Sequence, residues 1–159
     1  MAQIATTMKE DYVSFEVAKL LKEKGFREQC FRCYGVAVLH NGVAISFDEE
    51  CELKDEGKEN EIEYVEGGVL YDCGCNNNDK DAKVWAAPTL WGTMKWLREV
   101  HNIHITIDCD ICDSFDFYSI IRIKSEESWR TYAEYEDEGS NTYEEAKKKA
   151  IEYCLTNLI

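Results

Sequence analysis

The sequence predicts an α+β fold: an antiparallel sheet with helices packed on one face, arranged as tandem α-β-β-β units closed by a C-terminal helix. Three observations predict it. Thr89 to Leu158 reads as helix, three strands, helix, with a capping residue where each helix begins. Asn41-Gly42 separates two apolar runs, the pair that a two-residue hairpin turn with positive φ requires. Apolar residues make up 45% of the 159 and aromatics 12%, enough to build a core.

The elements follow in order. Residues 1–13 read as a leader. Ser14 caps a first helix, with Val17, Ala18, Leu20 and Leu21 on its inner side and Lys19, Lys22 and Lys24 toward its end, where the helix dipole favours cations. Gly25 stops it, and Phe26 folds back on Leu21. Tyr34 to Leu39 and Val43 to Phe47 form the hairpin. From Asp48 to Glu66 ten acids face two lysines, and a surface loop is expected. Ile62 to Val65 and Val69 to Tyr71 suggest a second short hairpin around Gly67-Gly68, and 73–83 reads as loop.

Thr89 caps the second helix, whose stripe is Leu90, Met94, Leu97 and His101. Strands are expected over Ile103 to Ile107, Phe115 to Lys124 and Trp129 to Tyr135. Asp108 to Asp113 is expected to form an acidic turn. Thr142-x-x-Glu145 opens the last helix as a capping box, with Ala146, Ala150, Cys154 and Leu158 inside. Lys19 to Glu23 resembles Lys95 to Glu99, which suggests a repeated helix-plus-strands unit. The expected organisation is a leader over 1–13, an N-terminal part over 14–84 and an α-β-β-β-α unit over 85–159, packed as one domain.

A net charge of −14 argues against broad nucleic-acid binding, which depends on Lys and Arg neutralising phosphates, and against an anionic membrane surface. No run approaches the ~20 apolar residues of a membrane span, and the first residues lack the pattern of a secretory signal. The cytosol is the expected location, with the eight cysteines reduced.

Candidate chemistry is sparse. Cys30-x-x-Cys33, Cys73-x-Cys75 and Cys109-x-x-Cys112 have spacings that grip zinc. Paired zinc-ribbon knuckles are absent, so small buried thiols are the expected reading, with no metal and no cofactor. Asp108, Asp110, Asp113 and Asp116 lack the calcium-loop pattern and read as a solvated turn. His40, His101 and His104 come with no nucleophile or metal motif, and His101 at a helix end is expected to favour its protonated form. A non-enzyme is expected. The aromatics point elsewhere: four tryptophans and nine tyrosines exceed what this core needs. Trp91 and Trp96 leave the apolar stripe in different directions, so at least one is expected to be exposed or at an interface. Trp91, Trp96, Arg98, Arg122, Trp129 and Arg130 are the candidate binding residues, as tryptophan beside arginine suits protein interfaces and base stacking.

Two resemblances add to this. Val13 to Phe26, Ala87-Pro88-Thr89-Leu90 with Met94 to Ile103, and Tyr143 to Ala146 with Tyr153-Cys154-Leu155 resemble small uncharacterised acidic proteins of Bacteroides phages and prophages. That resemblance implies an accessory protein that binds host machinery or captures a host signal. The order helix, three strands, helix is similar to a double-stranded-RNA-binding domain. The basic positions opening that family's last helix are held here by Tyr143, Glu144 and Glu145, with lysines only at 147–149, so it implies the fold without the RNA.

The expected function is therefore binding: blocking a host protein, or sequestering a small nucleotide signal, as a homodimer. The alternatives are a metal-stabilised module using the cysteine pairs and an acidic nucleic-acid mimic built on 48–66.

Overall fold

The computed structural model describes residues 11–110, 116–124 and 128–159, with the backbone alone over 129–139. The chain is α+β and divides into two compact units, Ser14–Ala87 and Met1–Val13 with Pro88–Ile159.

In the Ser14–Ala87 unit, α1 spans Phe15–Glu23. The Ser14 hydroxyl accepts from the Val17 amide at 3.3 Å. Gly25 at φ 90° lets the Phe26 amide return to the Leu21 carbonyl, and Phe26 is buried beside that turn. Strand β1, Cys33–His40, turns through Asn41 (φ 52°) and Gly42 (φ 76°) into β2, Val43–Ala44.

The first part of the acidic run is a helix rather than a loop, and its end enters a strand. Here α2 covers Phe47–Asp55. Ser46 and Glu49 form a reciprocal capping box, the acids of the first turn suit the dipole, and Lys54 pairs with Glu50 at 2.6 Å. A 3-10 turn at Glu59–Glu61 leads into β3, Ile62–Tyr71.

The expected second hairpin is one continuous strand. Strand β3 pairs antiparallel with β1 along its length, and its register slips between Gly35 and Val36. The slip is a bulge at Gly67, φ 69°, where the Phe15 ring rests on the bare Cα. A short β4, Trp85–Ala86, pairs with the start of β1 and closes the sheet.

In the second unit, α3 (Leu90–Val100) is capped by Thr89, whose hydroxyl accepts from Gly92 at 3.0 Å. The end of the expected leader is tied in: Tyr12 bridges Thr89, and the Leu90 amide donates to the Asp11 carbonyl. Residues 1–10 lie outside the described residues. Asn102 at φ 57° turns the chain into β5, Ile103–Asp110. That strand pairs with β6, Asp116–Lys124, which pairs with β7, Trp129–Ser140. The expected acidic turn lies mostly outside the described residues, and its first part extends β5. Ile103, Ile105 and Ile121 are buried on one sheet face beneath α3 and α4 (Tyr143–Asn157). Each such side chain contributes about 1.5–3 kcal/mol. Ala146, Ala150, Ile151, Cys154 and Leu155 make the inner stripe of α4, and Leu158 is half-buried.

Candidate functional site

Sequence position alone does not reveal a concavity built from distant segments. It is a cleft of about 490 Å³ in the Ser14–Ala87 unit, between α1 and the segment leading into β4. Helix α1 contributes Lys19, Lys22 and Glu23, which share one side through their i, i+3, i+4 spacing. The segment contributes Lys80, Asp81 and Lys83, and β3 contributes Glu66. Four lysines against three acids give the cleft a net +1, in a chain whose total is −14.

Lys22 builds the wall. It is buried, and its Nζ donates to the Ala82 carbonyl at 2.5 Å and the Val84 carbonyl at 3.0 Å. Its charge stands 5.5 Å from the centre of the Trp85 ring. Burial pulls its pKa below the ordinary lysine value, against the opposing pull of Asp79 and Asp81. The Asp79 carboxylate accepts from the Asp81 and Ala82 amides and shapes the turn that presents Lys80. Upstream, fully buried Asn77 accepts from the Ala86 amide at 2.9 Å. Trp85 meets the Phe15 ring edge-on at 5.0 Å, and Phe15 touches Gly67. Lys83 pairs with Glu66 at 3.1 Å, Lys19 lies over the Phe15 ring at 5.5 Å, and Lys80 projects from a turn. Lys19, Lys80 and Lys83 therefore line the cleft, Lys83 already paired with Glu66, while the Lys22 head is spent on the wall.

At the other end of the same segment the thiols meet. Cys30 and Cys75 exchange backbone hydrogen bonds of 2.8 and 3.0 Å, and the sulfurs of Cys33 and Cys73 stand 2.7 Å apart. Arg32 and Asp72 tie the two strands together beside them at 2.6 Å. Burial pushes the Cys30 thiol up to about 11, and raises Cys33 and Cys75 as well. Among the described residues, no three Cys, His, Asp or Glu side chains form a group ready to hold a metal. Cys109 sits on β5 in the other unit, and Cys112 lies outside the described residues.

The candidates named from the tryptophans separate. Trp91 is 63% exposed on α3 and forms one stripe with Lys95 and Arg98. These three line a small depression of about 60 Å³ with Met94, His104 and Ile105. Arg122, opposite His104 on β6, donates to the Thr106 hydroxyl at 3.3 Å. Burial, and then the Arg98 and Arg122 charges, pull the His104 pKa down. Trp96 is buried, with its ring 4.5 Å from His101. Burial lowers the His101 pKa, so the neutral form is favoured there, contrary to the expectation from the helix end. Trp129 and Arg130 belong to β7, and their side chains lie outside the described residues. Trp91→Ala is expected to change the unfolding free energy by no more than about 0.5 kcal/mol, as for exposed surface sites, measured by urea denaturation.

Among the carboxylates of the acidic run, Glu49 is spent on its cap, Glu50 on Lys54 and Tyr64, and Glu56 on Lys58. No described helix is long and apolar enough to cross a membrane. No family model, curated protein or solved structure matches the chain.

Proposed function

We propose that the protein works by binding rather than by catalysis, and captures a small phosphorylated molecule of the nucleotide class in the lysine-lined cleft. The observation that carries this reading is the convergence of Lys19, Lys22, Lys80 and Lys83 around one concavity of an otherwise strongly acidic chain. Its size falls within the roughly 300–1,000 Å³ of small-molecule sites. An anion there gains from the Lys19, Lys80 and Lys83 charges, while the surrounding negative charge disfavours long nucleic acid. With its resemblance to phage and prophage proteins, this makes it an accessory protein that sequesters a nucleotide signal in the host cytosol. It is taken to act as a homodimer that covers exposed Phe31 and Phe47. A monomer by light scattering at micromolar concentration removes the dimer.

Calorimetric titration with ATP and with inorganic pyrophosphate tests the reading. The double variant Lys19→Glu/Lys80→Glu is expected to weaken binding at least about ten-fold, the scale of 1.4 kcal/mol, with an unchanged thermal midpoint. A parent protein that takes up neither compound at low salt refutes capture of a phosphorylated ligand.

Exposed Trp91 in line with Lys95 and Arg98 favours a second reading, contact with an acidic host protein. The depression beside it is too small to enclose a nucleotide. On this reading Trp91→Ala abolishes host-protein capture and leaves nucleotide binding intact.

A further inference from the structure

We propose that Cys33 and Cys73 are a redox pair that closes to a disulfide and ties the start of the cleft wall to β1. The two residues lie 40 apart in sequence, yet the pairing of β1 with β3 brings their sulfurs to 2.7 Å. A bond of about 2.05 Å needs only a small approach from there. The surrounding backbone already holds the junction on both sides: Cys30 with Cys75 by two hydrogen bonds, and Arg32 with Asp72 by an ion pair.

The two sulfurs differ in access, which sets the order of events. Cys73 is exposed and Cys33 is buried. The oxidant is a low-molecular-weight disulfide of the glutathione type. The Cys73 thiolate attacks one of its sulfurs, forms a mixed disulfide and releases one thiolate. Cys33 then gives its proton to water and attacks the Cys73 sulfur. The Cys33–Cys73 bond forms, the mixed bond breaks, and a second thiolate leaves. The two protein sulfurs lose two electrons in total, and the small disulfide gains them as two thiols. Burial, which raises the Cys33 thiol, makes this second step the slow one.

The bond closes a loop that contains β1, the hairpin, α2 and β3. It also fixes residue 73, from which the chain runs through Asn77 to Lys80 and Lys83. The oxidised chain should therefore resist heat better than the reduced one. This inference stands on the thiol geometry and does not require the nucleotide reading.

The test is intact-mass and peptide mapping of the full-length protein equilibrated with mixtures of oxidised and reduced glutathione. The expected result is a loss of about 2 Da, a single Cys33–Cys73 crosslink and reversal by dithiothreitol. The thermal midpoint should rise by about 5 °C or more, the range expected for a long closed loop. Cys73→Ser, a change at an exposed position, should fold normally and lose both effects, while Cys51→Ser should keep them. The proposal is overturned by a crosslink within another pair, by thiols that stay reduced across the whole range, or by one equivalent of zinc that shields all four thiols.

Discussion

Gly67→Ala is expected to destabilise the Ser14–Ala87 unit by about 2–5 kcal/mol. Two separate costs add. The backbone sits at φ 69°, where a non-glycine residue loses about 1–2 kcal/mol. A Cβ at this position also falls inside the Phe15 ring, against its Cγ, Cδ1 and Cδ2. Phe15 has little room to yield, because its ring is set edge-on against both Tyr34 at 5.6 Å and Trp85 at 5.0 Å. Forcing an atom into such packing costs about 1–3 kcal/mol. Gly57→Ala separates the two terms: φ is 73° there, but a Cβ meets nothing within 4 Å. It should cost only the backbone term, about 1–2 kcal/mol. Urea denaturation of the two variants measures the difference. Equal losses would show that Phe15 does not lean on Gly67.

Lys22→Met is expected to cost about 2–4 kcal/mol and to loosen the cleft wall. Methionine keeps most of the stem, so the loss is mainly that of the charged head. Bonds from a charged donor contribute about 1.5–3 kcal/mol each, and Lys22 makes two, to the carbonyls of Ala82 and Val84. Against this stands relief from holding an ammonium group out of water, the same penalty that lowers its pKa. The bonds win because the two carbonyls lose their donor when the head is removed. Amide hydrogen exchange over residues 79–86 should speed up in the variant, with α2 unaffected. A variant as stable as the parent, with unchanged exchange there, would mean that Lys22 does not anchor the wall.

The local parts of this architecture were legible in the sequence. Ser14, Thr89 and Thr142 each accept from the amide three residues on. Asn41-Gly42 makes its turn with positive φ at both residues. These features depend only on near neighbours. The Ser46-x-x-Glu49 capping box is equally local, but the density of acids from 48 to 66 hides it, since a run of like charge suggests a loop. Gly67-Gly68 suggests a turn in the sequence because the Phe15 ring that packs on it is remote along the chain.

The site was less legible, for the same reason. Lys19 and Lys22 satisfied the rule for helix ends, and Lys80 and Lys83 lay in a stretch without apolar period. The packing of α1 on β4, with the Lys22 bonds to the Ala82 and Val84 carbonyls, joins them. One signal was present: Lys22 follows Ala18 by four residues and so continues the buried stripe of α1. The cysteine pairs were visible, but which pair would meet which was not, since a long antiparallel pairing decides it. Among the tryptophans, the sequence placed one of Trp91 and Trp96 outside the core, and Trp91 is the exposed one.

We propose a phosphorylated ligand between α1 and the Lys80–Lys83 segment. Nuclear magnetic resonance mapping of the isotope-labelled chain with added ATP tests it most directly. Shifts are expected in the amides of residues 19–23 and 79–86 and in the Trp85 indole, saturating with ligand and absent in Lys19→Glu/Lys80→Glu. Shifts confined to Trp91, Arg98 and their neighbours, or no shifts at all, would contradict it.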